Sequence, residues 1–452
     1  MSNQTNLDDA VGEVLEKIEK IDKSGFQLNS VLAISNNLAE QIKTASQIDG
    51  PLSGEVLVVK DNVETIGLPA TAGSLALTNT PVLNESSIAK RIKAAGGVIV
   101  ASTNLSEWAN IRSTQSTSGW SAVGGLTANP WKHEHSAGGS SSGTGAAVAA
   151  GLVTMGIGTE TDGSITCPAS LNGCVGLKPT VGLVPRDGVI PISSSQDSPG
   201  PMSQTVDQAA KLLSVIAGKD FTKLDLDQKL TFGVVKNWRS KNDLINVLFE
   251  KCLGVLVKAG HKLIELDCED PNDSDQEAEL HVLLSELKED LNNYLNSRPG
   301  SKYPNLASII EFNSKNKSEM EYFHQDLLEK ANQGNGRDAT YQKMRADNLI
   351  WAQGTLNKLL SNEIDLLLGC TYGPAWLSTL GKGDTFADAT WITMAPAIAG
   401  TPIGTIPMGL VEGLPVGIGI VSRAHDELRL LSGMRMIEKA LDLGVLQPNF
   451  SK

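Results

Sequence analysis

The chain has 452 residues, 40% apolar and 20% charged, an ordinary globular composition with ample material for a large core. A formal net charge of -13 gains nothing from counterion release, so nucleic acid is not an expected partner. Five scattered cysteines with no C-x-x-C spacing argue against a disulfide framework or a zinc site, and fit a reducing compartment.

The start, Met1 to Asp9, is polar and acidic and lacks the basic and apolar regions of a secretory signal. No run of 18 apolar residues follows anywhere, so the expectation is a soluble, cytoplasmic protein without a membrane span. Val11, Val14, Leu15, Ile18 and Ile21 share one helical face before Gly25. Val31 to Ile34 reads as a strand and Leu38 to Ala45 as a helix. Glu55 to Val59 is a short β-branched run that suits a buried strand, and it ends at Lys60-Asp61-Asn62. A helix over Ser87 to Ala95 and a strand over Val98 to Ala101 continue a β-α-β rhythm, which predicts an α/β sheet.

Further on, Thr205 to Ala217 reads as a capped helix. Leu230 to Val235, Asp243 to Ala259 and Lys262 to Leu266 repeat strand, helix, strand. Between Glu277 and Asn362 the pattern changes to successive amphipathic helices, with Leu280, Leu283, Leu284 and Leu287 on one face. This segment is expected to cover the sheet, within a single domain spanning 1–452. Ile364 to Leu368, Ile403 to Pro407 and Val416 to Val421 are candidate strands, and Asp426 to Leu443 a closing helix.

The stretch from Gly138 to Thr180 is dominated by glycine, serine and threonine, with short apolar runs between. Small side chains leave backbone amides accessible, so such a loop can hold an oxyanion and also supply a nucleophile. By composition alone it would be a turn or linker. Gly139-Ser140-Ser141-Ser142-Gly143 also matches the G-x-S-x-G nucleophile elbow, but that motif needs a preceding apolar strand, and Trp131 to His135 is polar. His133 and His135 lack a third partner for a metal, and Cys167 and Cys174 suit small packing positions.

Three runs in this region, Gly158 to Pro168, Val175 to Ser193 and Ser195 to Met202, resemble the amidase signature family of serine hydrolases, within it the peptide amidase subgroup. The likeness extends to Val59-Lys60-Asp61-Asn62, to Asn104 through Asn110, and to Gly413 through Gly417; it is weaker between about 220 and 390. The resemblance implies a mixed central β-sheet flanked by α-helices, with a signature core over about 50–220. It also implies a Ser-Ser-Lys triad of Ser164 as nucleophile, Ser140 as proton relay behind a cis peptide, and Lys60 as base. The backbone N–H groups of Thr161, Asp162, Gly163 and Ser164 would form the oxyanion hole. Asp162 and Glu160 stand where glycine and aspartate are commoner, in agreement with the peptide amidase subgroup, and Thr166 stands where arginine is usual.

The activity so implied is hydrolysis of a carboxamide through an acyl-enzyme, on peptide C-terminal amides or amino-acid amides, with no cofactor and no metal. The expected partner is a small-molecule or peptide amide substrate, and the expected state a monomer or homodimer. Two alternatives stand beside it: an amidase for small aliphatic or aryl amides, and an amidotransferase A-type subunit.

Overall fold

Val56, Leu57, Val58 and Val59 are all buried in the computed structural model, and their side chains alternate between two apolar layers. Leu57 and Val59 enter one layer, Val56 and Val58 the other, so this strand is covered on both faces. The structure describes residues 3–361 and 363–450. Met1 and Ser2 of the polar start, and Asn362 at the end of the expected helical segment, lie outside the described residues.

Val56–Lys60 is the third strand of an eleven-stranded mixed sheet. Across the sheet the order is Val31–Ile34, Val98–Thr103, Val56–Lys60, Met155–Glu160, Ser198–Ser203, Val175–Lys178, Ile403–Val411, Leu414–Val421, Leu366–Cys370, Thr231–Val235, Lys262–Leu266. Val56–Lys60 runs parallel to both neighbours, while the centre, from Met155–Glu160 to Leu366–Cys370, is antiparallel. Helices flank both faces: Ser87–Ala94, Val206–Ala217, Asp243–Lys258 and Glu427–Leu441 on one, and Asn3–Lys17, Leu38–Ala45 and Ser142–Ala149 on the other. The expected mixed sheet between helices is therefore the observed one.

Most expected elements fall within a residue or two of their place. The helix after Thr205 carries a full capping box, with the Thr205 side chain accepting from Gln208 N and Gln208 reaching back. Leu366–Cys370 begins two residues later than the expected strand, and the closing helix ends at Leu441 rather than Leu443. The first helix gives way to a π-helical turn over Ile18–Ser24. Of the central strands, Met155–Glu160 and Val175–Lys178 have no counterpart among the expectations, and neither has Ser198–Ser203. The last contains Pro199 and Pro201, which lack N–H donors and so argue against a central position. The arrangement tolerates them because only Met202 and Ser203 pair on the Val175–Lys178 side.

The amphipathic segment forms four helices, Asp273–Ser297, Leu306–Lys315, Asp326–Gln333 and Ala339–Leu359. Leu284, Leu287, Leu291 and Leu306 pack with Trp108, Ile190 and Ile192 in a separate apolar cluster, which brings this segment over the signature loops. No helix among the described residues is long and apolar enough to cross a membrane. All five cysteines are free.

Candidate active site

Continuing the alternation past Val58 sends Lys60 to the face covered by Ser142–Ala149. That helix is buried on all sides and built from glycine, serine, threonine, alanine and one valine, so it lies close to the sheet. A methyl group on Gly143 would fall 2.3 Å from Ser30 O, and one on Gly158 would fall 2.9 Å from Ser141 Oγ. The close approach delivers the chain leading into the helix to the lysine: Lys60 Nζ lies 2.7 Å from Ser140 Oγ, two residues before the first helical residue. The Gly139–Ser140 peptide is cis.

Lys60 has no exposed surface, and among the described residues no carboxylate lies within ion-pair distance of it. Its other neighbours are Thr159 Oγ1 at 2.9 Å and Thr159 O at 3.3 Å. Burial pushes its ammonium down to about 7, against the opposing pull of Asp197 and Glu160. A neutral amine offers two N–H donors and one lone pair. In that neutral form, donating to both Thr159 oxygens would leave the lone pair for the Ser140 hydroxyl. Thr159, which sequence reasoning passed over although it lies inside the signature, also accepts from Asn62 Nδ2 at 3.0 Å.

Ser164 lies in the turn between strand Met155–Glu160 and helix Thr166–Asn172. Glu160 shapes that turn: its Oε2 accepts from Ile165 N at 2.7 Å, Thr166 N at 2.8 Å and Thr166 Oγ1 at 3.1 Å. Within the turn, Gly163 has φ +78°, and a methyl group there would sit 2.4 Å from the Tyr372 hydroxyl oxygen. Among the described residues, the backbone N–H groups of Asp162, Gly163 and Ser164 donate no hydrogen bond within the chain. Thr161 is held through its hydroxyl, which donates to Asp197 Oδ1 at 2.6 Å; burial in turn raises the Asp197 carboxyl to about 6.

Ser140 and Ser164 are joined through the backbone, Ser141 N donating to Ser164 O at 3.1 Å. Among the described residues, no hydrogen bond links the Ser140 and Ser164 hydroxyls. The structure therefore brings Lys60 and Ser140 together and places Ser164 beside them, where it lines an open pocket.

That pocket, about 190 Å³, is lined by Thr161, Asp162, Gly163, Ser164 and Gly139 on the signature side. Opposite stand Ala109, Asn110 and Ile111, with Leu283 from the covering helices, and Tyr372 and Phe386 from a late segment. Trp108, Ala109 and Asn110 all have positive φ, which turns this loop toward the pocket. Cys167 is buried as expected but also forms part of the pocket wall. Burial raises the Asp162 carboxyl to about 6, and its Oδ1 has no hydrogen-bond partner. The late segment is tied down by Asp384, which accepts from Ser118 N at 3.0 Å and Ser118 Oγ at 2.7 Å. Tyr372, Asp384 and Phe386 carry no motif and were not anticipated.

No strand precedes Ser140, so the nucleophile-elbow reading lacks its required context. Among the described residues, no group of three or more His, Cys, Asp or Glu side chains is arranged to hold a metal ion.

Comparison with known proteins agrees with this geometry. The family model described as Amidase matches residues 9–431. A crystal structure of the peptide amidase PAM in complex with the competitive inhibitor chymostatin superposes with a TM-score of 0.91 at 36% identity, covering 98% of this chain and 95% of that one. The native peptide amidase of Stenotrophomonas maltophilia gives 0.90 at 35% identity, covering 100% and 96%. Among curated proteins, the A subunit of glutamyl-tRNA(Gln) amidotransferase from Synechococcus sp. (strain CC9902) is 32% identical over 89% of this chain and 85% of its own. A signature loop with free amides beside a buried lysine and serine, matched along nearly the whole chain, makes this protein a member of the amidase family, an enzyme of amide C–N chemistry.

Proposed function

We propose that this chain hydrolyses the terminal carboxamide of peptides or amino-acid amides to a carboxylate and ammonia. The observation that carries the reading is the buried Lys60 amine 2.7 Å from Ser140 Oγ, beside a pocket where Ser164 lies next to free backbone amides. In this mechanism Ser164 turns about its single side-chain torsion toward Ser140. Neutral Lys60 takes the Ser140 proton while Ser140 takes that of Ser164. Ser164 Oγ bonds to the amide carbon, and the oxyanion is held by the N–H groups of Asp162, Gly163 and Ser164. The C–N bond then breaks as Ser140 returns a proton to nitrogen, releasing ammonia and leaving an acyl ester on Ser164. Water reverses the relay and frees the carboxylate. Likeness to peptide amidases at 35–36% identity supports the substrate class.

A second reading, nitrogen transfer within an amidotransferase, is favoured by the 32% identity to the A subunit of such an enzyme. One experiment separates the two. The purified chain alone should release ammonia from an N-acetyl dipeptide amide, and Ser164→Ala should abolish this without changing the circular dichroism. Ammonia from glutamine only, and only with added partners, would favour the second reading instead.

A further inference from the structure

The segment from Thr371 to Trp391 lines more than the catalytic pocket. A second pocket of about 200 Å³ lies against it, and Tyr372 and Phe386 belong to both. Pro374, Ala375, Trp376, Ala387 and Ala389 supply the rest of its apolar wall, and none of its lining residues is basic. Its one charged residue, Asp388, accepts from Asn242 Nδ2 at 3.4 Å. Phe386 stands as the partition: its ring meets Trp376 edge-on at 4.9 Å and Tyr372 at 6.1 Å.

The same segment exposes Leu377, Phe386 and Trp391 by 60%, 48% and 41%, a concentration of large apolar side chains beside one cleft. The segment is anchored to the chain that leads into Ser140. Ser136 N donates to Trp376 O at 2.7 Å, and Ser378 N donates to Glu134 O at 2.9 Å. Thr390 Oγ1 donates to Cys370 O at 2.6 Å, and Asp384 holds Ser118 from the middle. A wall fixed at several points offers a preformed surface, which lowers the ordering cost of binding.

We propose that the second pocket is a specificity subsite for an apolar or aromatic side chain on the residue preceding the amidated one. This rests on the peptide-amide reading above. The partition would separate the side chain of the amidated residue, in the catalytic pocket, from that of its predecessor. An acidic side chain there would meet apolar walls and Asp388, with no cation to pair with among the lining residues.

The test uses Ser164→Ala protein, on which peptide amides bind without turnover, and measures dissociation constants for acetyl-Phe-Ala-amide, acetyl-Gly-Ala-amide and acetyl-Asp-Ala-amide. Phe should bind about tenfold tighter than Gly, from partial burial of the ring, and Asp weaker than Gly. Adding Ala387→Trp, which fills the second pocket, should erase the Phe advantage. In the Ser164-containing protein, the same Ala387→Trp change should leave hydrolysis of acetyl-Ala-amide unchanged. Equal affinities for Phe and Gly, or a Phe advantage that survives Ala387→Trp, overturns the subsite. Failure of the parent protein to hydrolyse acetyl-Ala-amide would instead count against the function, because the binding comparison does not depend on turnover.

Discussion

The burial of Lys60 makes a quantitative prediction about pH. Desolvation brings its ammonium down to about 7, and only the neutral amine can accept the Ser140 proton. At pH 5 about one molecule in a hundred then carries the active form, and at pH 8 about nine in ten. The ratio kcat/KM for a neutral peptide amide should therefore rise on the order of a hundredfold from pH 5 to pH 8, with unit slope below about 7. The Asp197 carboxylate opposes the depression, so Asp197→Asn should lower the Lys60 pKa further and move the rising limb to more acid pH. Initial rates of ammonia release across this range, with circular dichroism to confirm an intact fold, provide the assay. A flat profile from pH 5 to 8, or a limb that moves upward in Asp197→Asn, would refute the assignment of Lys60 as the base.

Two further predictions concern how the pocket is held. Gly163→Ala combines a left-handed backbone with a methyl 2.4 Å from the Tyr372 hydroxyl, so it should cost about 1–2 kcal/mol of stability and most of the activity. Tyr372→Phe in the same chain should restore part of both, since the next contact is 3.4 Å away; identical urea midpoints for single and double variants would rule out that contact. Arg112 is wholly buried, 2.7 Å from Glu107 Oε1 and 3.5 Å from Glu319 Oε2, with Phe323 O at 3.1 Å. It ties the pocket loop to the connection between helices Leu306–Lys315 and Asp326–Gln333, and Arg112→Met should cost about 3–5 kcal/mol by stranding a buried pair of carboxyl groups. Adding Glu107→Gln and Glu319→Gln should recover part of that loss in urea unfolding, and no recovery would mean that the charge balance is not the cause.

Much of the frame could be read from the sequence because the signals were local. Val56 to Val59 alternate between two apolar layers, and the capping pair Thr205 and Gln208 marks its helix start. Ser198–Ser203 was hidden by its two prolines, whose missing donors matter only against neighbours that a sequence does not display. Helix Ser142–Ala149 was equally silent. It is buried all round, so its small residues carry no amphipathic period. At the site, the motifs pointed to Lys60, Ser140 and Ser164, of which Lys60 and Ser140 lie within hydrogen-bond distance. Thr159 and Asp197 lay inside the same motifs, but their roles depend on which groups face them across the sheet. Tyr372, Asp384 and Phe386 come from a segment with weak likeness, more than 200 residues from Ser164 in the chain. The antiparallel return of Leu366–Cys370 beside Leu414–Val421, with the Asp384–Ser118 tie, brings them there.

The proposed chemistry passes through an ester on one hydroxyl, and that species can be weighed. The enzyme would be mixed with excess peptide amide at pH 8, quenched in acid within milliseconds, and digested for peptide mapping by mass spectrometry. The account predicts the acyl mass on the peptide containing Ser164, lost in Ser164→Ala. Acyl mass on the Ser140 peptide, or its persistence in Ser164→Ala, would contradict it.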